Sequence, residues 1–166
     1  MLSLTAEYAL RAVLYIADQS SAGPVRVEPM ADAMGLPRNY LAKTLNLLAK
    51  RGILTSQRGP TGGFRLAISP ESMTLASVIE GFGAEPTRRG CLLGRPRCNE
   101  AMPCPAHWRW KSVAEDIAAF FRETTVADLL NEPSAEGELG EVLRGRREAR
   151  TARGPTVVTA GPSGDG

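Results

Sequence analysis

The sequence predicts a mainly α-helical fold with a small β-hairpin wing: a winged helix-turn-helix followed by a long dimerisation helix. Three observations predict it. Two helical segments are joined by Gly35-Leu36-Pro37, the tight link of a helix-turn-helix. Two short strand candidates flank Arg58-Gly59-Pro60-Thr61-Gly62-Gly63, which is turn chemistry throughout. Residues 106–123 then carry Trp110, Val113, Ile117, Phe120 and Phe121 at helical spacing.

Taken in order, residues 5–19 read as the first helix. Thr5 is the expected N-cap and Glu7 suits the positive first turn. Tyr8, Leu10, Val13, Leu14 and Ile16 make the segment apolar over much of its circumference, so it is expected to be buried against more than one partner. Residues 28–34 form a short helix, with Pro29 in its first turn and Gly35 stopping it. Pro37 opens a longer helix that Gly52 ends. There Leu41, Leu45 and Leu48 make a core stripe, and Asn39, Lys43, Asn46 and Lys50 recur on roughly the opposite side. Residues 53–57 and 64–68 are the strands of the wing, the second alternating Phe64, Leu66 and Ile68 with Arg65 and Ala67. Residues 74–81 read as a helix with Leu75, Val78, Ile79 and Phe82 facing inward. A Gly/Pro/Cys-rich loop is expected over 83–105, and 125–130 adds a last turn. The expected units are a DNA-binding domain over 1–82, a cysteine loop and dimerisation helix over 83–130, and a disordered tail over 131–166 with a transient helix over 138–150.

Composition narrows the function. The chain has 166 residues, enough for one ordinary domain with an extension. No apolar run approaches the roughly 18–20 residues of a membrane span. No N-terminal signal-peptide order is present either, so a cytoplasmic protein without a membrane partner is expected. The net charge of +2 is unevenly spread. Residues 36–66 carry Arg38, Lys43, Lys50, Arg51, Arg58 and Arg65 with no acid, the footprint of a polyanion binder. Arg38, Asn39, Tyr40 and Lys43 fall at the start of the second helix of the motif, where major-groove contacts are usual. Asn39 suits adenine and Lys43 suits guanine. Arg58 and Gly59, at the wing tip, suit a minor groove or a phosphate. The rival reading is a winged helix used for protein contacts, its polar stripe merely solvated.

The second chemical feature is Cys91-x6-Cys98-x5-Cys104-x2-His107, which gathers all three cysteines and the single histidine. An odd number of clustered cysteines points to metal or redox chemistry rather than a disulfide framework. Soft thiolates with an imidazole suit an iron–sulfur cluster or zinc, and spacing alone does not separate the two. Free thiols, a redox disulfide, or a histidine that only caps a helix are the remaining readings. No catalytic constellation accompanies the cysteines, so an enzyme is not expected.

Three runs carry a family resemblance: Leu4-Thr5-Ala6-Glu7-Tyr8-Ala9-Leu10-Arg11-Ala12, Leu36-Pro37-Arg38-Asn39-Tyr40-Leu41, and Arg58-Gly59-Pro60-Thr61-Gly62-Gly63-Phe64-Arg65-Leu66-Ala67. With Thr74-Leu75, the cysteine loop and Thr124-Thr125-Val126-Ala127-Asp128-Leu129, they resemble the Rrf2 family of bacterial transcription regulators over about residues 1–130. The resemblance implies a homodimer on a palindromic double-stranded DNA operator, with an iron–sulfur cluster as the sensor of redox, nitric oxide or iron–sulfur status. The Cys-Cys-Cys-x2-His order is similar to that of regulators of cluster assembly. This implies a 2Fe–2S cluster ahead of 4Fe–4S, with Cys91, Cys98, Cys104 and His107 as ligands. Here six residues separate the first two cysteines where five is common. Relatives that sense nitric oxide imply another fourth ligand, Glu7 of the partner subunit. A zinc-stabilised or cluster-free repressor with no redox switch is the alternative.

Overall fold

The computed structural model describes residues 2–83 and 91–132. Helix α1 (Leu4–Asp18) starts one residue earlier than expected, because Ser3 rather than Thr5 caps it. The Ser3 hydroxyl accepts from the Ala6 N–H at 3.2 Å and donates to the Phe82 carbonyl at 2.9 Å. Thr5 lies inside the helix, its hydroxyl 2.6 Å from that of Tyr40. The buried spine of α1 is Ala6, Ala9, Ala12, Val13, Ile16 and Ala17. Tyr8, Leu10 and Leu14 are only half-buried. The alanines keep the spine thin, so neighbouring elements approach it closely.

Helices α2 (Val27–Met34) and α3 (Arg38–Lys50) form the helix-turn-helix. Gly35 takes the left-handed conformation at φ 63°, which lets the Leu36 N–H reach the Ala31 carbonyl at 2.9 Å and close the helix end. On α3, Leu41, Leu45 and Leu48 are fully buried, while Asn39, Lys43, Asn46 and Lys50 are exposed. The helical period thus separates core from surface as the spacing requires.

The wing pairs β1 (Leu54–Gln57) antiparallel with β2 (Gly63–Leu66), in the register Leu54↔Leu66 to Gln57↔Gly63. Both strands are shorter than expected. Ile68 lies beyond the end of β2 and is exposed, so the alternation buries Phe64 and half-buries Leu66 but goes no further. Val25 exchanges two backbone hydrogen bonds with Phe64, at 2.9 and 2.8 Å, and adds a third partner on the hairpin edge. Gly63 is required there: a Cβ would stand 2.5 Å from the Val25 carbonyl oxygen.

Helix α4 (Leu75–Ile79) is capped by Thr74, whose hydroxyl accepts from the Ser77 N–H. Leu75, Val78, Ile79 and Phe82 are buried, as the sequence implies. Helix α5 (His107–Glu123) runs into α6 (Val126–Asn131), which opens on a Thr125/Asp128 capping box. The α5–α6 junction is stitched to the residues around α4: Leu75 N–H donates to the Thr124 carbonyl and Val126 N–H to that of Met73, at 3.0 and 2.8 Å.

Along α5 only His107 is buried. Val113 and Phe120 are about half exposed, at 48% and 51%, and Trp110 and Ile117 are half-buried. This apolar face is therefore only partly covered by the subunit's own core. Among the described residues no helix is long and apolar enough to cross a membrane. The tail expected from residue 131 lies outside the described residues from 133 onward, as do residues 84–90 of the expected loop.

Candidate metal centre and nucleic-acid interface

The cysteine loop is a series of tight turns that deliver thiols to one place. Gly94, at φ 69°, lets its N–H return to the Cys91 carbonyl at 3.0 Å. The Asn99 carboxamide oxygen accepts from the N–H groups of Ala101 and Met102, at 3.1 and 2.9 Å. The His107 N–H then closes on the Cys104 carbonyl at 2.9 Å, so Cys104 precedes the first turn of α5 and His107 opens it.

The Sγ atoms of Cys91, Cys98 and Cys104 lie within 4.8 Å of one another. Cys91 and Cys104 are buried and 3.6 Å apart, and the half-buried Cys98 Sγ is 3.2 Å from His107 Nδ1. His107 Nε2 is buried without a hydrogen-bond partner. A tetrahedral ion with metal–sulfur bonds of about 2.3 Å holds two thiolates roughly 3.8 Å apart. With a metal–nitrogen bond of about 2.0 Å, it holds a thiolate and an imidazole roughly 3.5 Å apart. Both observed spacings sit slightly inside those values, and the donor set of soft sulfur and imidazole fits zinc or an iron–sulfur group.

The electrostatics favour a thiolate at one position. A backbone hydrogen bond from Arg95 outweighs burial and, with help from Leu93 and the other two thiols, lowers the Cys91 pKa to about 7. At Cys98 a backbone hydrogen bond near Cys104 favours the thiolate, but burial and the neighbouring thiols prevail and raise its pKa. Outside the sulfur set, Lys111 on α5 pairs with Glu100 of the loop at 2.5 Å, with Glu115 at 3.8 Å. The hydrogen bond and charge of Lys111 hold the Glu100 carboxyl below its usual range, and Glu100 raises Lys111 in turn. Glu7 lies in the first turn of α1, where its charge acts on Arg11.

On the other face, Arg38, Asn39, Tyr40 and Lys43 all lie exposed in the first two turns of α3, and Arg58 and Gly59 are exposed at the wing tip. The side chains of Asn39, Lys43 and Arg58 have no hydrogen-bond or ion-pair partner among the described residues. Tyr40 differs: its hydroxyl meets Thr5, and its ring meets Tyr8 edge-on at 5.6 Å. The basic block that is free of acid in sequence is not free of it in space. Arg38 lies 3.9 Å from Glu28, and Arg51 turns to Glu80 at 3.8 Å, against Gly81. Sequence reasoning also passed over Arg26. Its guanidinium donates to the Pro60 carbonyl and ties the wing tip to the start of α2. Between them lies an open groove of about 510 Å³, lined in part by Arg26, Asn46, Ser56, Gln57 and Arg58.

Comparison with known proteins agrees with the winged-helix fold. The profile of the Rrf2 family, described as an iron-dependent transcriptional regulator, matches residues 2–132. A protein of Aquifex aeolicus, named for the HTH type of transcriptional regulator, is 40% identical over 76% of this chain and 89% of its own. The HTH-type transcriptional regulator IscR of Yersinia pseudotuberculosis is 30% identical over 75% of each chain. Among solved structures, T. potens IscR superposes with a TM-score of 0.63 at 22% identity, covering 83% of this chain and 91% of that one. CymR, the global cysteine regulator of B. subtilis, gives 0.65 at 21% identity, covering 81% and 98%. At such identities these two structures support the winged-helix fold.

Proposed function

The chain belongs to the Rrf2 family of transcriptional regulators, and on that premise we propose that it is a homodimeric repressor or activator whose operator affinity is set by an iron–sulfur cluster. The family comprises DNA-binding regulators rather than enzymes. The observation that carries the cluster reading is the convergence of three thiols within 4.8 Å, with His107 Nδ1 at 3.2 Å from one of them. Cys91, Cys98, Cys104 and His107 would hold the group. His107 is preferred to Glu7 of the partner subunit because it already stands against Cys98. The Cys-Cys-Cys-x2-His order, similar to that of regulators of cluster assembly, favours a 2Fe–2S cluster.

When bound, such a cluster supplies a reversible redox change and sensitivity to oxidants and nitric oxide. The chain's own residues do the rest. Cys91, Cys98 and Cys104 fasten the loop to His107, and so to the head of α5. The exposed stripe of Val113 and Phe120, with Trp110 and Ile117 beside it, packs on the same helix of a second copy. The α5–α6 junction joins that helix to α4 and the winged-helix core. A change in how firmly the loop is held therefore biases the spacing of two α3 helices across a palindrome. At each half-site, Arg38, Asn39, Tyr40 and Lys43 face the major groove and Arg58 with Gly59 the adjacent minor groove or phosphates. Tyr40 lines this surface with its hydroxyl held by Thr5 and its ring set edge-on against Tyr8, so it offers shape at the groove rather than a free hydrogen-bonding group.

The test is anaerobic purification with iron, sulfide and zinc assays. Iron and sulfide in equal amounts, lost in Cys98→Ala, are expected. Stoichiometric zinc without sulfide would replace the cluster with a structural ion.

A further inference from the structure

The cysteine loop is tied to α5 at a second point, one that neither the ligand set nor the DNA-facing surface uses. Lys111 Nζ donates to Glu100 Oε1 at 2.5 Å. The same ammonium lies 3.8 Å from Glu115, one turn further along α5, and 5.8 Å from the centre of the Trp108 ring. The spacing gives the contact its meaning. Glu100 is two residues past Cys98, and Lys111 is one helical turn past His107 on the same side of α5. Cys98–His107 and Glu100–Lys111 are thus adjacent rungs between the same two segments. The Asn99 side chain fastens the turn that carries Glu100, accepting from the N–H groups of Ala101 and Met102.

We propose that Lys111 is a positioning residue for the metal centre: with Glu100 it forms a strut that holds Cys98 Sγ against His107 Nδ1. This rests on the metal-centre reading above. The pair is solvent-exposed, with side-chain exposures of 42% for Lys111 and 66% for Glu100, and adds little to folding. Its effect falls on metal retention, at or below the lower end of the roughly 10- to 100-fold that outer-shell partners command.

The experiment titrates Co²⁺ alone into the reduced, metal-free full chain without oxygen, following the visible bands of tetrahedral thiolate ligation. Lys111→Met and Glu100→Gln are each expected to weaken Co²⁺ binding by about three- to tenfold. The double variant is expected to be no weaker than either single one. Lys111→Arg should restore binding, and Glu115→Gln, which alters charge without touching the loop, should leave it unchanged. A charge effect acting through space would instead move K111M and E100Q in opposite directions, and that result overturns the strut. So does a K111M chain that binds like the wild type while Cys98→Ser binds poorly. If Cys98→Ser itself binds Co²⁺ as tightly as the wild type, the metal-centre reading falls, and the strut falls with it.

Discussion

At the scale of single residues, each part of the molecule depends on a few side chains placed by short-range backbone geometry. Cys91 and Cys104 come within 3.6 Å because two turns bring them together, and His107 meets Cys98 because it opens α5. On the proposed DNA-facing side, Lys43 and Arg58 are exposed cations that have no internal partner among the described residues. Lys43→Ala is expected to cost roughly 1–3 kcal/mol in operator binding if it reads a base. Arg58→Ala should lower the slope of log K against log salt by about 1. Titration of fluorescent operator DNA at several salt concentrations checks both. Arg51→Ala should leave binding near the wild-type value, because Arg51 faces Glu80. The α6 cap gives a pH-dependent expectation. The Thr125 backbone N–H, then its hydroxyl, hold the Asp128 carboxylate below its usual range. A lowered carboxylate contributes stability that is complete above the ordinary aspartate value and is lost as pH falls through the lowered one. Thr125→Ala should therefore depress the melting temperature at neutral pH and progressively less in acid. The cysteines, His107 and the exposed cations were legible in the sequence because their chemistry is carried by residue type. The Tyr40–Thr5 and Arg51–Glu80 contacts were not, because each joins residues about 30 apart or more whose meeting depends on tertiary packing.

At the scale of elements, the periodic segments were legible and their edges were not. The leucine stripe of α3 lies where its spacing puts it, and Gly35 ends α2 in the left-handed region. Helix α1 was read through its large apolar residues, yet its buried spine is mostly alanine. Alanine gives a weak hydropathy signal, and its role is to let neighbouring elements close in. Val25 lies outside the strands expected from the sequence, yet it pairs with Phe64 in the wing, a partnership set by tertiary contact rather than local pattern. Gly63→Ala tests that packing. Its Cβ would meet the Val25 carbonyl, so the variant should lose about 1–3 kcal/mol of stability and most operator affinity, read by thermal unfolding and gel shift. The exposed face of α5 carries the proposed dimer. Phe120→Glu should give a folded monomer on size-exclusion chromatography with light scattering, since Phe120 is 51% exposed in the single subunit and its replacement leaves no cavity.

At the scale of the whole molecule, the loop, α5, the α5–α6 junction and the winged helix are joined by a series of hydrogen bonds. The loop meets α5 at His107 and Lys111, and the junction meets the core through Thr124 and Val126. A ligand state can shift an equilibrium only through unequal interaction with its two conformers. The proposed centre therefore has to change DNA binding by an amount typical of coupled sites, about 5- to 150-fold. The sign of that change depends on which conformer matches the operator spacing. The most direct measurement is the operator affinity of the 166-residue protein, kept free of oxygen, with its proposed centre intact and after that centre is removed by chelation and reduction. A change of at least about fivefold, abolished in Cys98→Ala, is the expected result. Equal affinity in both states would contradict control of DNA binding by the cysteine loop.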